Sequence, residues 1–492
     1  MTTTEQRAAP SEIAGPVVTS PQPLGIFGFP AGLLLIPART GDEDAVRAAL
    51  VSGRLPSNWP AGLDEVRRAY ADPVGEGLAS EVVARQHDTR NPIDRYNRWA
   101  LSPDLENAAT VRAGLPEPWR PLVDAVCYIV GLVHIPPADH PGCPPELRAL
   151  LLTAAASAQL ESDPACAYRL LHQASALVTF DSPVLAAVVL GNAAGVLLDT
   201  GGDTETACAE LESALVELAD TDLPAVRAEL HGRLGGVMHE QLSMAGAPLT
   251  EAMNHYLDGL SLVSQDSAPY VWASLQLDLA TAYLASPMVE ATSQLRIGIA
   301  TQSLRAARRV FTPQDHPGPW SMATLNLANS LVYAPSTHRK ENLLEAVDLY
   351  EEILRSGVRN SNPAARARVL ANQGNALAHL GYLDAAHARL IEARSIFEED
   401  FDGEAIRAVR EVLDAIARSR VADPDQAGFD AEMARASAQY ARMPGADTAG
   451  RTSGMGVHAA PTESPARVPA APPRDAQRRA KVTVLPRDGS PA

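Results

Sequence analysis

The 492-residue sequence predicts an all-α protein, an α-solenoid in which helical hairpins stack into a right-handed superhelix behind an N-terminal helical region, with disordered tails. Three observations predict it. One hairpin pattern recurs five times, its small-residue slot filled by Gly191, Gly235, Ala280, Ala328 and Gly374 at spacings of 44, 45, 48 and 46 residues. Within it, Trp272 lies eight residues before Ala280 and Trp320 eight before Ala328. Aromatics are 5% against 46% hydrophobic residues, with Ala and Leu dominant, which suits closely packed helices better than a sheet sandwich. A lone hairpin cannot bury its apolar face, so repetition at this period implies stacking and an inner surface that binds something.

Taken in order, residues 1–20 are polar, Pro-containing and expected to be disordered. The run from Leu24 to Ile36 is the most apolar in the chain. Its 13 residues fall short of the roughly 20 needed to cross a bilayer, and three glycines and Pro30 break it. It reads as a segment packed across the first helices or as a hydrophobic contact for a partner or membrane surface. Residues 21–143 form an N-terminal helical region in which Asp42, Glu43 and Asp44 precede an apolar stripe, as the helix dipole favours. This region is either a separate domain or degenerate repeats that cap the array.

The array itself is expected over 144–419, with a degenerate first hairpin around Leu147 to Val178. Leu343, Val347, Tyr350 and Leu354 keep one second helix apolar on a single face. Ile406, Val409, Leu413 and Ile416 do the same for a terminal helix that Asp402 is placed to cap. A capping helix is expected within 420–445, near Phe429 to Met443. The Pro-, Ala- and Arg-rich tail 446–492 cannot offset its ordering entropy by burial. Within it, the basic and alternating patch Arg478 to Leu485 suits either an added strand on a partner or an inert tail.

The stretch Ala371 to Ala386, followed by Leu390 and Ala393, resembles the tetratricopeptide repeat (TPR) family. Leu370, Gly374, Leu377, Gly381, Ala386, Leu390 and Ala393 occupy that family's fixed steps, with Leu in place of its aromatics. The longer period, with Trp320 opening one hairpin, is similar to the subclass of roughly 45-residue repeats. Such arrays in bacteria often accompany caspase-like peptidase or signalling domains. The resemblance covers about 144–419, most clearly from Trp272 on, and implies an interaction scaffold. It places Asn192, Asn329 and Asn375 on the concave face, where an amide can bond an extended backbone with both donor and acceptor. The family's two-carboxylate clamp wants Lys where this chain has Val188, Leu325 and Ala371. A more apolar groove with Leu277, Met322, Leu325 and Val332 is expected instead.

Candidate chemistry is sparse. Only Lys340 and Lys481 are available as Schiff-base lysines, and no phosphate-binding loop, nucleophile elbow or dinucleotide glycine fingerprint occurs. His134, Asp139, His140 and Cys143 bring metal-ligand types together in a stiff Pro-rich loop, at a spacing that fits a structural linker as well as a metal. Arg90, Arg95 and Arg98 suit either an anionic ligand or an ion-pair network at a junction. Cys127 near His134 lacks the strand context that a Cys-His peptidase needs. Cys127, Cys143, Cys166 and Cys208 form no C-x-x-C pair and are expected reduced. No cofactor and no catalytic residue is expected.

The formal charge is −18, and because the tail is basic, residues 1–445 carry 34 basic against 55 acidic residues. That balance opposes nucleic-acid binding and favours a basic or apolar partner. The opening residues lack a charged-then-apolar signal pattern, so a cytoplasmic location is expected. Arg in place of Lys, with abundant Ala, points to a GC-rich bacterial genome. The expected function is a scaffold or adaptor that binds a partner peptide in the groove. Alternatives are a sensor of a small molecule or signalling peptide, and an enzyme or accessory protein of specialised metabolism.

Overall fold

The structure is a computed structural model that describes residues 44–55, 92–101, 103–245, 249–286, 290–334 and 337–421. Expectations for residues 1–20, the run at 24–36, Arg90, the helix near 429–443 and the tail lie outside the described residues. Among those described the fold is all-α, a repeat of helical hairpins with no strand. The chain divides into two compact units at Leu223 and Pro224.

The first unit opens with α1 (Asp44–Val51), α2 (Pro92–Leu101), α3 (Leu105–Gly114) and α4 (Arg120–Ile129). Two hairpins follow, α5 (Pro145–Ser157) with α6 (Pro164–Val178), and α7 (Pro183–Asp199) with α8 (Thr204–Glu217). Tyr96, Trp99, Trp119, Leu122 and Val126 share one core with Leu147, Leu150 and Leu151 of α5, so the N-terminal helices and the first hairpin fold around common apolar contacts. The end of α1 is tied to the end of the second hairpin. Asp222 N–H donates to the Gly53 carbonyl at 2.7 Å, and Leu55 N–H donates to the Asp222 carboxylate at 2.9 Å. Gly53 has φ +71° and lies so close to Thr221 that a Cβ would stand 2.8 Å from its methyl, so only glycine fits there.

The second unit holds four hairpins. They are α9 (Pro224–Met244) with α10 (Thr250–Leu262), α11 (Pro269–Ala285) with α12 (Glu290–Arg308), α13 (Pro317–Tyr333) with α14 (Arg339–Ser356), and α15 (Pro363–His379) with α16 (Leu383–Glu399). A final helix, α17 (Gly403–Val421), packs on α16 and touches α15. Each helix packs on its neighbour in sequence, and first helices also touch the next first helix, α9 on α11, α11 on α13 and α13 on α15.

Local chemistry sets the boundaries. All six first helices begin on proline, at Pro145, Pro183, Pro224, Pro269, Pro317 and Pro363, where a missing N–H costs nothing and the fixed φ suits the first turn. Asp104, Asp163, Asp203, Asn362 and Asp402 each accept a first-turn N–H at 2.8 to 3.1 Å, contacts worth about 1 kcal/mol apiece. The expected cap at Asp402 is thus in place, on the N–H of Ala405.

The small-residue slot is where the two helices of a hairpin meet. A Cβ on Gly235 would lie 2.6 Å from a ring carbon of Tyr256, and one on Gly374 would lie 2.8 Å from Leu390 Cγ and 3.2 Å from the Ala386 carbonyl. Ala280 and Ala328, at the same slot, are fully buried. The second helices answer with a register of their own. Ala167, Ala207, Ala252, Ala300, Ala346 and Ala386 are fully buried, and four residues on lie Leu171, Leu211, Tyr256, Leu304, Tyr350 and Leu390, each at most 1% exposed. Small faces small, and the large side chain locks over the contact.

Gly374→Ala should therefore destabilise the protein by about 1–3 kcal/mol, through overpacking, even though alanine is the better helix former. Urea denaturation measures it. A neutral or stabilising substitution would show that α15 and α16 do not approach so closely.

Candidate docking cleft and the first-helix ladder

The residues expected to line a groove lie on first helices, Asn192 on α7 in the first unit and the other six on α11, α13 and α15 in the second. Leu277, Leu325 and Val332 are 3%, 8% and 7% exposed and belong to the core of the second unit, with Met322 packed against it. What these side chains touch is the array's own interior. Asn375 and Asn192 are also buried, and Asn192 Nδ2 finds no hydrogen-bond partner among the described residues.

Asn329 shows what the recurrent amides do. Its Oδ1 accepts from Tyr350 Oη at 2.7 Å, within the hairpin, and from Asn372 Nδ2 at 3.0 Å, on the next first helix. One hairpin earlier, Asn326 Nδ2 donates to Thr281 Oγ1 at 3.2 Å. The inner amides thus form rungs of a ladder across α11, α13 and α15. Neighbouring first helices sit close enough that these groups satisfy each other, as half-buried polar groups must.

On the second helices the rungs are charged. Arg305 binds both oxygens of Glu345 at 2.8 Å, Arg308 binds Glu352 at 2.8 Å, and Arg389 reaches Glu351 at 3.0 Å. Gln373, then Arg389 and Arg355, hold the Glu351 carboxyl below its usual pKa. In the first unit Glu210 takes the same place. It accepts from Tyr168 Oη at 2.7 Å and meets His172 Nε2 at 2.6 Å. Burial and that carboxylate push the Tyr168 phenol up to about 12.

Between α12, the end of α13 and the start of α14 the packing leaves an open cleft of about 440 Å³. Gln294, Thr301, Gln302, Arg305 and Arg309 line one wall, with Leu331, Ala334 and Asn342 opposite. Among the described residues no carboxylate lines it. Arg305 is committed to Glu345, whereas Arg309 is exposed and forms no ion pair among the described residues. Amides and guanidinium groups in one concavity can bind an extended backbone and an anionic group together. Sequence reasoning passed over this cleft. Its one sequence signal is the run of amides and arginines from Gln294 to Arg309, an ordinary solvated helix face by pattern alone.

The other candidates disperse. Arg95 and Arg98 lie on α2, both partly buried, and Arg98 Nε is enclosed without a hydrogen-bond partner among the described residues. His134 and His140 are exposed, Cys143 is buried, and Asp139 is held by Arg148 through two bonds of 3.0 and 2.8 Å. No group of three or more metal-ligand side chains occurs among the described residues. Cys127 and Cys143 are pushed up in pKa by burial first and by Asp124 and Asp139 next, which disfavours the thiolates.

Two tests follow from these contacts. Asn329→Ala removes the acceptor that the Tyr350 hydroxyl and the Asn372 amide share and should cost about 1–3 kcal/mol in urea denaturation. No loss would mean the ladder is not formed in solution. The second concerns His231 on α9, whose Nδ1 lies 3.1 Å from His255 Nδ1 on α10. Burial first, then His255 and Arg227, lower its pKa from 6.5, against the opposing pull of Asp258. An imidazole with a depressed folded pKa contributes stability above the unfolded value that is lost as pH falls through the folded one. Melting temperature should therefore drop on acidification below about pH 6.5, and His231→Gln should flatten that slope. An equal slope in the variant would place the titration elsewhere.

Among the described residues no helix is long and apolar enough to cross a membrane. No protein-family model matches the chain, and comparison with curated proteins finds no matching sequence.

Proposed function

We propose that this chain is a TPR-type interaction scaffold or adaptor, of bacterial and cytoplasmic origin, that holds a segment of a partner protein in the cleft between α12, α13 and α14. The observation that carries the reading is the cleft itself, about 440 Å³ of open concavity whose walls supply amides and an arginine with no ion pair among the described residues. The repeat of hairpins supports it, because such arrays present long surfaces at modest folding cost. The ladder and core contacts among α11, α13 and α15 engage the amides and apolar side chains there, which favours the cleft over those helices as the place for the partner segment. The segment carries an anionic or hydrogen-bonding group toward Arg309, and the net charge of −18 favours a partner that is basic or apolar elsewhere.

A cleft of this size also falls within the roughly 300–1,000 Å³ usual for small-molecule sites. That supports the sensor reading as the second candidate. A small ligand would raise the melting temperature of the isolated protein, whereas a protein segment would be recovered as a complex.

The test is titration calorimetry of a partner recovered from the native host against wild type and Arg309→Glu. Charge reversal at this exposed position should weaken binding by about tenfold or more while leaving the melting curve unchanged. Equal affinities would move the partner off the cleft.

A further inference from the structure

At the end of α16 a bulky side chain holds a backbone conformation that elsewhere belongs to glycine. Phe401 has φ +57°, and the other five residues of positive φ among those described are glycines, with Gly201 after α7 and Gly381 after α15 at the same step past their helices. The left-handed region is costly for a phenylalanine, so the neighbouring backbone must enforce it. It does so at three points. Asp400 N–H donates to the Ile396 carbonyl at 3.1 Å, Asp402 N–H to the Phe397 carbonyl at 3.0 Å, and Gly403 N–H to the Phe401 carbonyl at 3.0 Å. The Asp402 carboxylate then caps α17.

Packing does not offset that strain. Phe401 is 91% exposed, whereas Phe397, one turn earlier, is fully buried and supplies the core contact. The exposed ring is set among acids, with Glu398, Glu399 and Asp400 before it and Asp402 and Glu404 after it. Glu398 meets Arg394 at 3.3 Å and Arg410 at 3.9 Å, and Asp402 meets Arg368 at 3.8 Å. Glu399, Asp400 and Glu404 are exposed and form no ion pair among the described residues. An aromatic face beside uncommitted carboxylates suits an organic cation, which the ring quadrupole and the negative charges attract together.

We propose that Phe401, with Glu399, Asp400 and Glu404 around it, is a docking point for an arginine-bearing segment of a partner protein. Charge sets the sign of the partner, since the whole chain is −18 and this turn adds its own excess of acids. Ring and acids together favour arginine over lysine, because a planar guanidinium lies flat on an aromatic face while its edge donates in parallel to a carboxylate. The backbone bonds that fix the turn limit the entropy lost when the ring is covered. The docking point shares no residue with the cleft and does not depend on the cleft being occupied.

The experiment is titration calorimetry of a capped hexapeptide of alternating arginine and glycine into the full chain at physiological ionic strength, with the lysine counterpart titrated in parallel. Saturable binding of the arginine peptide is expected in wild type, with the lysine peptide weaker. Phe401→Gly should weaken binding about two- to fivefold. The same change should raise the melting temperature, because glycine takes a positive φ without strain. Phe401→Tyr keeps the ring and should bind as wild type does. The double change Glu399→Gln with Glu404→Gln should weaken binding and make it less sensitive to salt. Phe180→Ser removes another ring, 94% exposed in the first unit, and should leave the affinity unchanged. Absence of saturable binding in wild type, wild-type affinity in Phe401→Gly or in the double variant, lysine binding as tightly as arginine, or an equal loss in Phe180→Ser would each overturn the docking point. A lower melting temperature in Phe401→Gly would show that the ring serves the fold, and would overturn it too.

Discussion

The contact on which the rest of this structure depends is the near-touching of backbones inside each hairpin of the second unit. At Gly374 and Gly235 a Cβ would stand 2.8 and 2.6 Å from the facing side chain, and Ala280 and Ala328 at the same slot are fully buried. Such proximity lets Ala386 and Ala252 lie against the first helix and brings Leu390 and Tyr256 down over the slot. A larger side chain there would lift the second helix and expose the ring or isobutyl group that closes the hairpin. Each hairpin then exposes an apolar flank, which the next covers, as the contiguous core from Ala273 to Ala376 records.

Polar groups are sorted by the same geometry. First helices that approach each other closely confront their amides, and the Thr281–Asn326 and Asn329–Asn372 bonds result. Between second helices long arginines span to carboxylates, as at Arg305–Glu345 and Arg308–Glu352. The exposed pairs add little stability individually. Their effect is to fix the relation of neighbouring hairpins. Arg309, at the cleft, is not drawn into such a pair among the described residues.

Much of the architecture was legible because it repeats. The slot from Gly191 to Gly374 located five of the six first helices, the stripe Leu343, Val347, Tyr350 and Leu354 located a second one, and Asp402 marked the last N-terminus. A further marker of the repeat is the residue that opens each first helix. The six prolines that open the first helices track the period through the degenerate first hairpin, where the small-residue slot is least distinct. What the inner polar and apolar side chains contact was far less legible. Asn329 and Leu325 have the residue types of a peptide groove, but periodicity reports the face on which a side chain lies and not what stands opposite it. Here the opposite party is the next hairpin, with Asn372 against Asn329 and the core of the second unit around Leu325.

By itself, then, the sequence determined the all-helical class, the hairpin as the unit, its period and the positions that must stay small. Each of these follows from local periodicity, and local periodicity is carried by residues three or four apart on one helix. The tertiary structure alone decided which polar groups remain available. Arg305 and Arg309 are one turn apart on the same face, yet Glu345, forty residues further along the chain, engages the first, and the second carries no ion pair among the described residues. Arg359 likewise forms no ion pair among the described residues, and its Nε is bonded instead to Ser321 Oγ, 38 residues earlier in the chain. Such distinctions depend on the separation of groups distant in sequence, which the stacking of hairpins fixes and no single helix encodes.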